Sequence, residues 1–293
     1  MSRVAFRIWL LLGGLSFADL CWCAGQGLVV SSWQPFLLVA AALLGLSIAS
    51  RRAGRLPRFG ALAEWSLLWL VFSAAGAILT YAAATRGGAL HDQQLAALDR
   101  ALGFDWYAWL ALVNRHPAVK TALWAGYNSL FSQIMLSAAW FAWCRRPQRN
   151  AELLANATLA LLLTTAIFCL FPAFGPGVGV PGFELAYLDD LTGLRNGTLP
   201  SLDVMLLKGV ITFPSFHAVL AVLFMWSHRG APSFVPAAAL NMVMLVAIPS
   251  EGGHYLVDIF GGFAVAAVTI VALRAVPLSP PALAPARLPG RIA

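Results

Sequence analysis

Long apolar runs separated by short polar segments make up most of the chain. Each run approaches the roughly 20 residues that an α-helix needs to cross the hydrocarbon core of a bilayer. The pattern predicts eight membrane-spanning helices, the sixth and seventh being the shortest, and therefore an all-α polytopic membrane bundle. The predicted spans are Ile8–Ala24, Trp33–Ala49, Ala61–Ala84, Thr121–Cys144, Leu153–Phe174, Ile211–Trp226, Ser233–Ile248 and His254–Val276.

Two connecting segments are longer than simple turns. Leu90–Ala118 is amphipathic, with Trp106 and Tyr107 among acidic residues, which is typical of a segment lying along the membrane surface. Pro172–Thr212 begins with a run rich in glycine and proline and is long for a loop in a compact protein. We expect a loop of that length to have a function or to act as a lid.

Composition and charge narrow the class of protein. Of 293 residues, 60% are hydrophobic and 11% are charged, against about 25% charged in soluble domains, which excludes an ordinary soluble enzyme. The net charge of +7 would fit a nucleic-acid partner, but its placement indicates topology instead, and we expect no nucleic-acid partner. By the positive-inside rule, both termini are predicted to be cytoplasmic. The basic residues on that predicted side are Arg3, Arg7, Arg51, Arg52, Arg55, Arg58, Arg145, Arg146, Arg149, Arg229, Arg274, Arg287 and Arg291.

The candidate chemistry lies in two short polar clusters at the ends of apolar helices. Two apolar runs separate them, one crossing away and one returning, so His217 and His254 belong at the same membrane surface. This is the exoplasmic face, or the periplasmic face of the cytoplasmic membrane in a bacterium. Pro214 is expected as a first helical residue, which puts Ser215 in the first turn, where backbone N–H groups and the helix dipole attract a phosphate. The clusters are Phe213–Ala218 and Gly252–Asp258.

The second cluster contains a histidine and a carboxylate four residues apart. A helix places His254 and Asp258 on one face. The carboxylate then holds one imidazole nitrogen as a donor and leaves the other free to attack or to move protons. A histidine at a membrane interface is often only a hydrogen-bonding anchor. Two histidines, one beside a carboxylate and one in a Pro-Ser helix start, favour catalysis.

At these residues the chain resembles the phosphatidic acid phosphatase type 2 superfamily. Pro214-Ser215-x-His217 is similar to its second motif, and His254-x-x-x-Asp258 to the core of its third. The likeness is to the inositolphosphotransferase-like branch, which includes the fungal inositol phosphorylceramide synthases. It implies that His254 forms a phosphohistidine, that Asp258 orients it, that His217 protonates the leaving oxygen and that Ser215 holds phosphoryl oxygens.

The resemblance also implies a division of the chain. Residues 1–60 would form two N-terminal helices and a basic cytoplasmic loop, and residues 61–276 a six-helix catalytic core. Residues 277–293, rich in proline, alanine and arginine, would form a disordered cytoplasmic tail.

Two departures from the family pattern concern cations. The family's phosphatases carry an arginine where this chain has Ile248, and their first motif is not found upstream. Arg195 and Lys208, in the long loop, are the nearest cations that would bind phosphate instead. The alternative is that both are solvated loop charges.

Tyr127 and Gln133 belong to a polar stripe in the fourth predicted span. This stripe either lines the site or serves helix packing, and the sequence favours neither of the two roles.

The resulting hypothesis is an integral membrane phosphotransferase or phosphatase that acts on a lipid phosphoester without a cofactor. Its partner would be a membrane lipid with a phospholipid or sphingolipid-like headgroup as donor or acceptor. A metal-dependent hydrolase that uses His217, His254 and Asp258 as ligands is less favoured, because HExxH is absent and one carboxylate is near. A transporter is least favoured, because the polar clusters lie at helix ends rather than in mid-span.

Overall fold

The computed structural model describes residues 3–54 and 56–275, which form twelve helices and two short strands. Residues 277–293, the predicted tail, lie outside the described residues. The helices are α1 (Arg3–Gln26), α2 (Trp33–Arg52), α3 (Pro57–Ala84), α4 (Asp92–Ala101), α5 (Trp106–Arg115), α6 (Pro117–Asn128), α7 (Leu130–Trp143), α8 (Pro147–Leu170), α9 (Leu188–Asn196), α10 (Phe216–His228), α11 (Phe234–Glu251) and α12 (Leu256–Ala275). The strands β1 (Val29–Ser31) and β2 (Ser201–Asp203) pair in parallel.

The helices confirm the prediction of an all-α membrane bundle. Within the described residues, six helices are long and apolar enough to cross a membrane, namely α1, α2, α3, α8, α11 and α12. The fourth predicted span consists of α6 followed by α7, so the expectation of one continuous helix was wrong at Ser129. The sixth is α10, which has only 13 residues.

Proline residues begin three of the helices. Pro57, Pro117 and Pro147 are the first residues of α3, α6 and α8. The fixed φ of proline suits this position, and its missing N–H would have had no partner within the helix. The predicted surface segment is likewise two helices, α4 and α5, because the chain turns at Gly103 with a φ of +76°. Asp105 then caps α5 by accepting a hydrogen bond from the Ala108 N–H at 3.0 Å.

The centre of the bundle is formed by α3, α8, α10 and α12. Trp69, Leu154, Phe224 and Ala266, one from each helix, are fully buried in a single apolar cluster. In contrast, α2 lies at the periphery and leaves most of its apolar residues exposed. Such a surface is what a helix facing hydrocarbon presents.

Two ends of the bundle differ in their chemistry. The first, which we name the site end, carries the strands, α4, α5, α9 and the loop around His254. The second, the arginine end, carries the turns at residues 144–146 and 229–233. There Arg229 binds Glu152 at 2.6 Å, and the guanidinium groups of Arg229 and Arg274 lie 3.9 and 4.4 Å from the ring centre of Trp226. The loops therefore group as eight passes require, and the assignment of the arginine end to the cytoplasm stays a prediction.

That prediction can be checked with reporter fusions at Arg146 and Gly197, at opposite ends of the bundle. A reporter that is active only in the cytoplasm is expected to signal at Arg146 and not at Gly197. A reporter that requires export should give the reverse. The same signal from both positions would contradict the topology.

Candidate active site

The two polar clusters meet where the start of α10 packs against α12. The Ser215 N–H donates a hydrogen bond to the Asp258 carbonyl oxygen at 3.0 Å. Gly262 of α12 makes this approach possible, because a Cβ atom there would lie 2.6 Å from the Ser215 carbonyl oxygen and 2.7 Å from the Ala218 Cβ. Any side chain at Gly262 would push the two clusters apart.

The start of α10 differs from the prediction. Pro214 is not a first helical residue: the helix begins at Phe216, and Ser215 is its N-cap. The Ser215 Oγ accepts a hydrogen bond from the Ala218 N–H at 3.4 Å, a role for which serine is among the preferred residues. The expectation was wrong by two residues because a Ser N-cap competes with Pro for the helix start. His217 still lies in the first turn.

His254 and Asp258 form the predicted buried pair, but the expectation that one helix carries both was wrong, because α12 begins at Leu256. The distance from His254 Nδ1 to Asp258 Oδ2 is 3.0 Å, and the same oxygen accepts a hydrogen bond from the Tyr255 N–H at 2.9 Å. His254 precedes α12 and Asp258 lies in its first turn, so the carboxylate also completes the helix start as the acid of a capping box does. With Nδ1 held, Nε2 is the imidazole nitrogen left for chemistry.

The protonation state of His254 follows from its burial. The side chain of His254 is almost fully buried, and loss of solvation lowers its pKa from 6.5 to about 4. A hydrogen bond to the Thr212 backbone has a smaller, opposite effect on this pKa. The imidazole is therefore neutral at pH 7, which is the form that attacks an electrophile.

The second histidine is held by an aromatic ring from the fourth pass. The rings of His217 and Tyr127 are stacked, with centroids 4.2 Å apart and an interplanar angle of 16°. The Tyr127 hydroxyl and the His254 ring both contact Gly252, where a Cβ would lie 2.7 Å from the hydroxyl oxygen and 2.6 Å from His254 Cδ2. Tyr127 thus lies between the two histidines, stacked on His217 and meeting His254 at Gly252.

Three other candidate residues occupy different surroundings. Gln133 accepts a hydrogen bond from Asn241 Nδ2 at 2.7 Å and so joins α7 to α11, which is a helix-packing contact. Arg195 donates to the Gly88 carbonyl oxygen at 2.6 Å. Lys208 donates to the Ala186 carbonyl oxygen at 2.8 Å.

The long loop covers the segment Gly252–Tyr255, which we name the histidine segment. Gly175, with a φ of +100°, packs directly against the Gly253 carbonyl oxygen, and the side chains of Phe183 and Leu185 lie over Gly253. The Tyr187 hydroxyl donates to the Phe174 carbonyl oxygen at 2.9 Å. Burial raises the pKa of Tyr187 well above its usual value of 10, and the charge of Asp258 raises that pKa further. The phenol of Tyr187 therefore stays neutral, and its hydroxyl lies beside Gly175 in the loop that covers Gly253. The sequence pattern did not identify this residue.

Two acidic residues of α4, also missed in the sequence, hold the walls of the site. Asp99 accepts hydrogen bonds from the Leu256 and Val257 N–H groups at 2.8 and 3.0 Å, so it caps α12 from another helix. Burial raises the pKa of Asp99, and these two hydrogen bonds oppose that shift. The sequence did carry a signal for the two acidic residues. Asp92 and Asp99 are seven residues apart, which places them two turns apart on one face of a helix.

Asp92 connects the loop to the histidine segment. Its carboxylate accepts hydrogen bonds from the Phe174 N–H at 3.1 Å and from the Gly175 N–H at 2.8 Å. It also accepts one from the Tyr255 hydroxyl at 3.2 Å. One carboxylate thus fixes the covering loop to the residue after His254.

Replacing Asp99 by Asn should loosen the start of α12. The amide keeps one acceptor oxygen but presents an NH₂ group to the second backbone donor, and a buried unsatisfied donor costs about 1–3 kcal/mol. We expect Asp99→Asn to lower the thermal unfolding midpoint of the purified protein. Gln94→Ala, an exposed change on the same helix, is the control, and equal midpoints for both variants would contradict the capping role.

Comparison with known proteins adds one finding. A family model described as the PAP2 superfamily matches residues 93–272, a range that includes Asp99, His217, His254 and Asp258. No curated protein and no solved structure matches the chain.

Proposed function

Because the chain belongs to the PAP2 superfamily, whose members are generally phosphatases or phosphotransferases, we propose that it transfers phosphoryl groups of a membrane lipid phosphoester through a phosphohistidine at His254. The observation that carries this proposal is the buried contact between His254 Nδ1 and Asp258 Oδ2 at 3.0 Å. A neutral imidazole held in this way is the arrangement that nucleophilic catalysis needs.

In the first step, Nε2 of His254 attacks phosphorus. A nitrogen–phosphorus bond forms as the bond from phosphorus to the leaving alcohol oxygen breaks. Positive charge develops on the imidazole, and Asp258, whose carboxylate oxygen lies at Nδ1, stabilises it. The contact also fixes the ring orientation, so little reorganisation is needed during attack.

The departing oxygen needs a proton, which we assign to His217. It lies in the first turn of α10, and its ring is fixed by stacking on Tyr127. The N-terminus of α10 presents backbone N–H groups and the positive end of the helix dipole toward the phosphoryl oxygens. Ser215 contributes by forming the cap that sets this helix start. Arg195 and Lys208 stay candidates for phosphate binding that would require release from their loop carbonyls.

In the second step, an acceptor hydroxyl attacks the phosphohistidine, and His217 takes up its proton. Water as acceptor gives hydrolysis, and a lipid or sugar alcohol gives transfer. We favour transfer of the inositolphosphotransferase type on two grounds. The residue at the position of the phosphatases' arginine, Ile248, is fully buried in an apolar cluster. The loop over Gly253 also restricts access of water, which limits hydrolysis of a reactive intermediate.

The two alternative functions have less support. A metal-dependent hydrolase needs a set of ligands, and among residues 3–54 and 56–275 no group of three or more His, Cys, Asp or Glu side chains is placed to hold a metal ion. A transporter with a midplane site needs polar groups there. The histidine clusters instead lie between the end of α11 and the start of α12 and at the start of α10.

The roles of the two histidines can be separated with substrates that differ in their leaving groups. His254→Ala should abolish the acid-labile phosphoenzyme and all turnover. His217→Ala should slow release of an alkoxide by about 10²–10⁴-fold, the usual contribution of a general acid. A nitrophenyl ester needs no protonation and should restore much of the His217→Ala activity only. Restoration of His254→Ala instead would reverse the assignment.

The pH dependence of attack should report the burial of His254. Its pKa is lowered to about 4, so the neutral form is present above that pH and is lost as the pH falls through 4. For a phosphodiester substrate, whose own charge is constant in this range, kcat/KM should show its acid limb near pH 4. An acid limb near 6.5, the value for a solvated histidine, would contradict the neutral buried nucleophile.

A further inference from the structure

Tyr127 lies in the last turn of α6, beside the two histidines. Its ring stacks on His217, with the ring centres 4.2 Å apart. The preceding residue, Gly126, lets α6 lie directly on α11, because a Cβ atom there would be 2.6 Å from Cγ1 of Val243. Since the ring and the backbone of Tyr127 are both held by packing, the fold also sets the position of its hydroxyl group.

That hydroxyl group lies beside the reacting edge of the His254 ring. A Cβ atom at Gly252 would be 2.7 Å from the Tyr127 hydroxyl oxygen and 2.6 Å from Cδ2 of His254. The two atoms therefore lie on either side of one point, each at contact distance from it. Cδ2 is bonded to Nε2, the nitrogen that attacks phosphorus in the proposed reaction. The hydroxyl is thus next to the place where the phosphoryl group must arrive.

The hydroxyl of Tyr127 has no hydrogen-bond partner within residues 3–54 and 56–275. The other tyrosines that are not exposed, Tyr81, Tyr187 and Tyr255, each donate to an oxygen atom of the protein. Such pairing is usual, because a phenol that leaves water needs a partner. The unpaired O–H of Tyr127 is therefore available to a substrate.

The wall of the site that carries Tyr127 is otherwise apolar. The ring of Tyr127 packs against a buried cluster that includes Met244 and Ile248 of α11 and Ile259 of α12. None of these three side chains offers an N–H or O–H donor. In apolar surroundings a hydrogen bond to a charged oxygen is stronger than in water, because the effective dielectric constant is lower. The position of this one donor therefore matters for a charged substrate.

We propose that the Tyr127 hydroxyl donates a hydrogen bond to a phosphoryl oxygen during attack by His254, which makes Tyr127 a catalytic residue. The inference rests on the proposed function and adds a group to it. As the bond between Nε2 and phosphorus forms and the bond from phosphorus to the leaving oxygen breaks, the phenol keeps its proton. It stabilises the negative charge on the phosphoryl oxygens from a position fixed before the substrate binds.

Tyr127→Phe tests this role, because it removes the hydroxyl and keeps the ring that stacks on His217. Turnover is measured on full-length protein in detergent micelles with short-chain phosphatidic acid, phosphatidylglycerol, phosphatidylethanolamine and phosphatidylinositol. For the lipid that the unsubstituted protein turns over fastest, kcat/KM should fall about ten- to hundredfold, the effect of losing one hydrogen bond to a charged group. The thermal unfolding midpoint should stay unchanged. Tyr107→Phe is the control, since Tyr107 is 62% exposed and should keep full activity.

A nitrophenyl ester distinguishes this role from proton transfer to the leaving group. A donor to a phosphoryl oxygen acts whatever group departs, so Tyr127→Phe should lose as much activity with the nitrophenyl ester as with the lipid. Recovery with the nitrophenyl ester would make Tyr127 the general acid and overturn the assignment. Tyr127→Leu also removes the stack on His217 and should lose more activity with the lipid. The nitrophenyl ester should restore that additional loss only.

The failure of this inference can be told from the failure of the proposed function. Full activity of Tyr127→Phe, in a protein that forms an acid-labile phosphoenzyme at His254, would overturn the role of Tyr127 alone. Absence of both the phosphoenzyme and turnover in the unsubstituted protein would overturn the proposed function, and the role of Tyr127 with it.

Discussion

The site depends on one close contact, that between the start of α10 and the face of α12 at Gly262. The absence of a side chain there allows Ser215 to reach the Asp258 carbonyl oxygen. This contact fixes the position of the two histidine clusters relative to each other, although His217 and His254 are 37 residues apart in the chain. Small residues serve the same purpose in many membrane bundles, where packing rather than the hydrophobic effect holds helices together. Here the closeness sets the relative position of the two histidine clusters.

The periphery of the site is also held by a small number of specific contacts. Asp99 satisfies backbone donors at the start of α12, and Asp92 joins the covering loop to Tyr255. Both belong to α4, a short helix that is not among the candidate membrane spans, so the histidine segment is held by the bundle on one side and by α4 on the other. Tyr127 adds a third support by stacking on His217. Each support comes from a different part of the chain.

The sequence predicted the features that depend on local order. Hydrophobic run length identified the passes, although the fourth is divided at Ser129. The sequence also predicted the contact of His254 with Asp258, but as neighbours on one helix face. His254 instead lies before α12, and the contact resembles that of a capping box. The sequence did not predict the role of Asp99, because its partner Leu256 lies 157 residues away. It did not predict the role of Tyr187 either, because this residue and its partner lie in a loop without periodicity. From the sequence, Gln133 and Tyr127 were equally good candidates to line the site. The structure distinguishes them, because Gln133 of α7 bonds to α11 whereas Tyr127 of α6 stacks on His217 of α10. The start of α10 was misplaced because Pro214 and Ser215 are both helix-start residues.

The shortness of α10 has an energetic consequence for any reaction at its start. Its 13 residues extend about 20 Å, less than the 30 Å hydrocarbon thickness. At the arginine end α10 ends level with Glu152 of α8, to which Trp226 and Arg229 bind, and α8 continues beyond the start of α10 at the other end. The reacting phosphorus would thus lie in a recess where the effective dielectric constant is low. Fixed protein dipoles would stabilise the charge that develops there, and unlike water they need not reorient during the reaction. A misplaced dipole would also change the energy of that charge more than it would in water, because electrostatic interactions are stronger at a low dielectric constant.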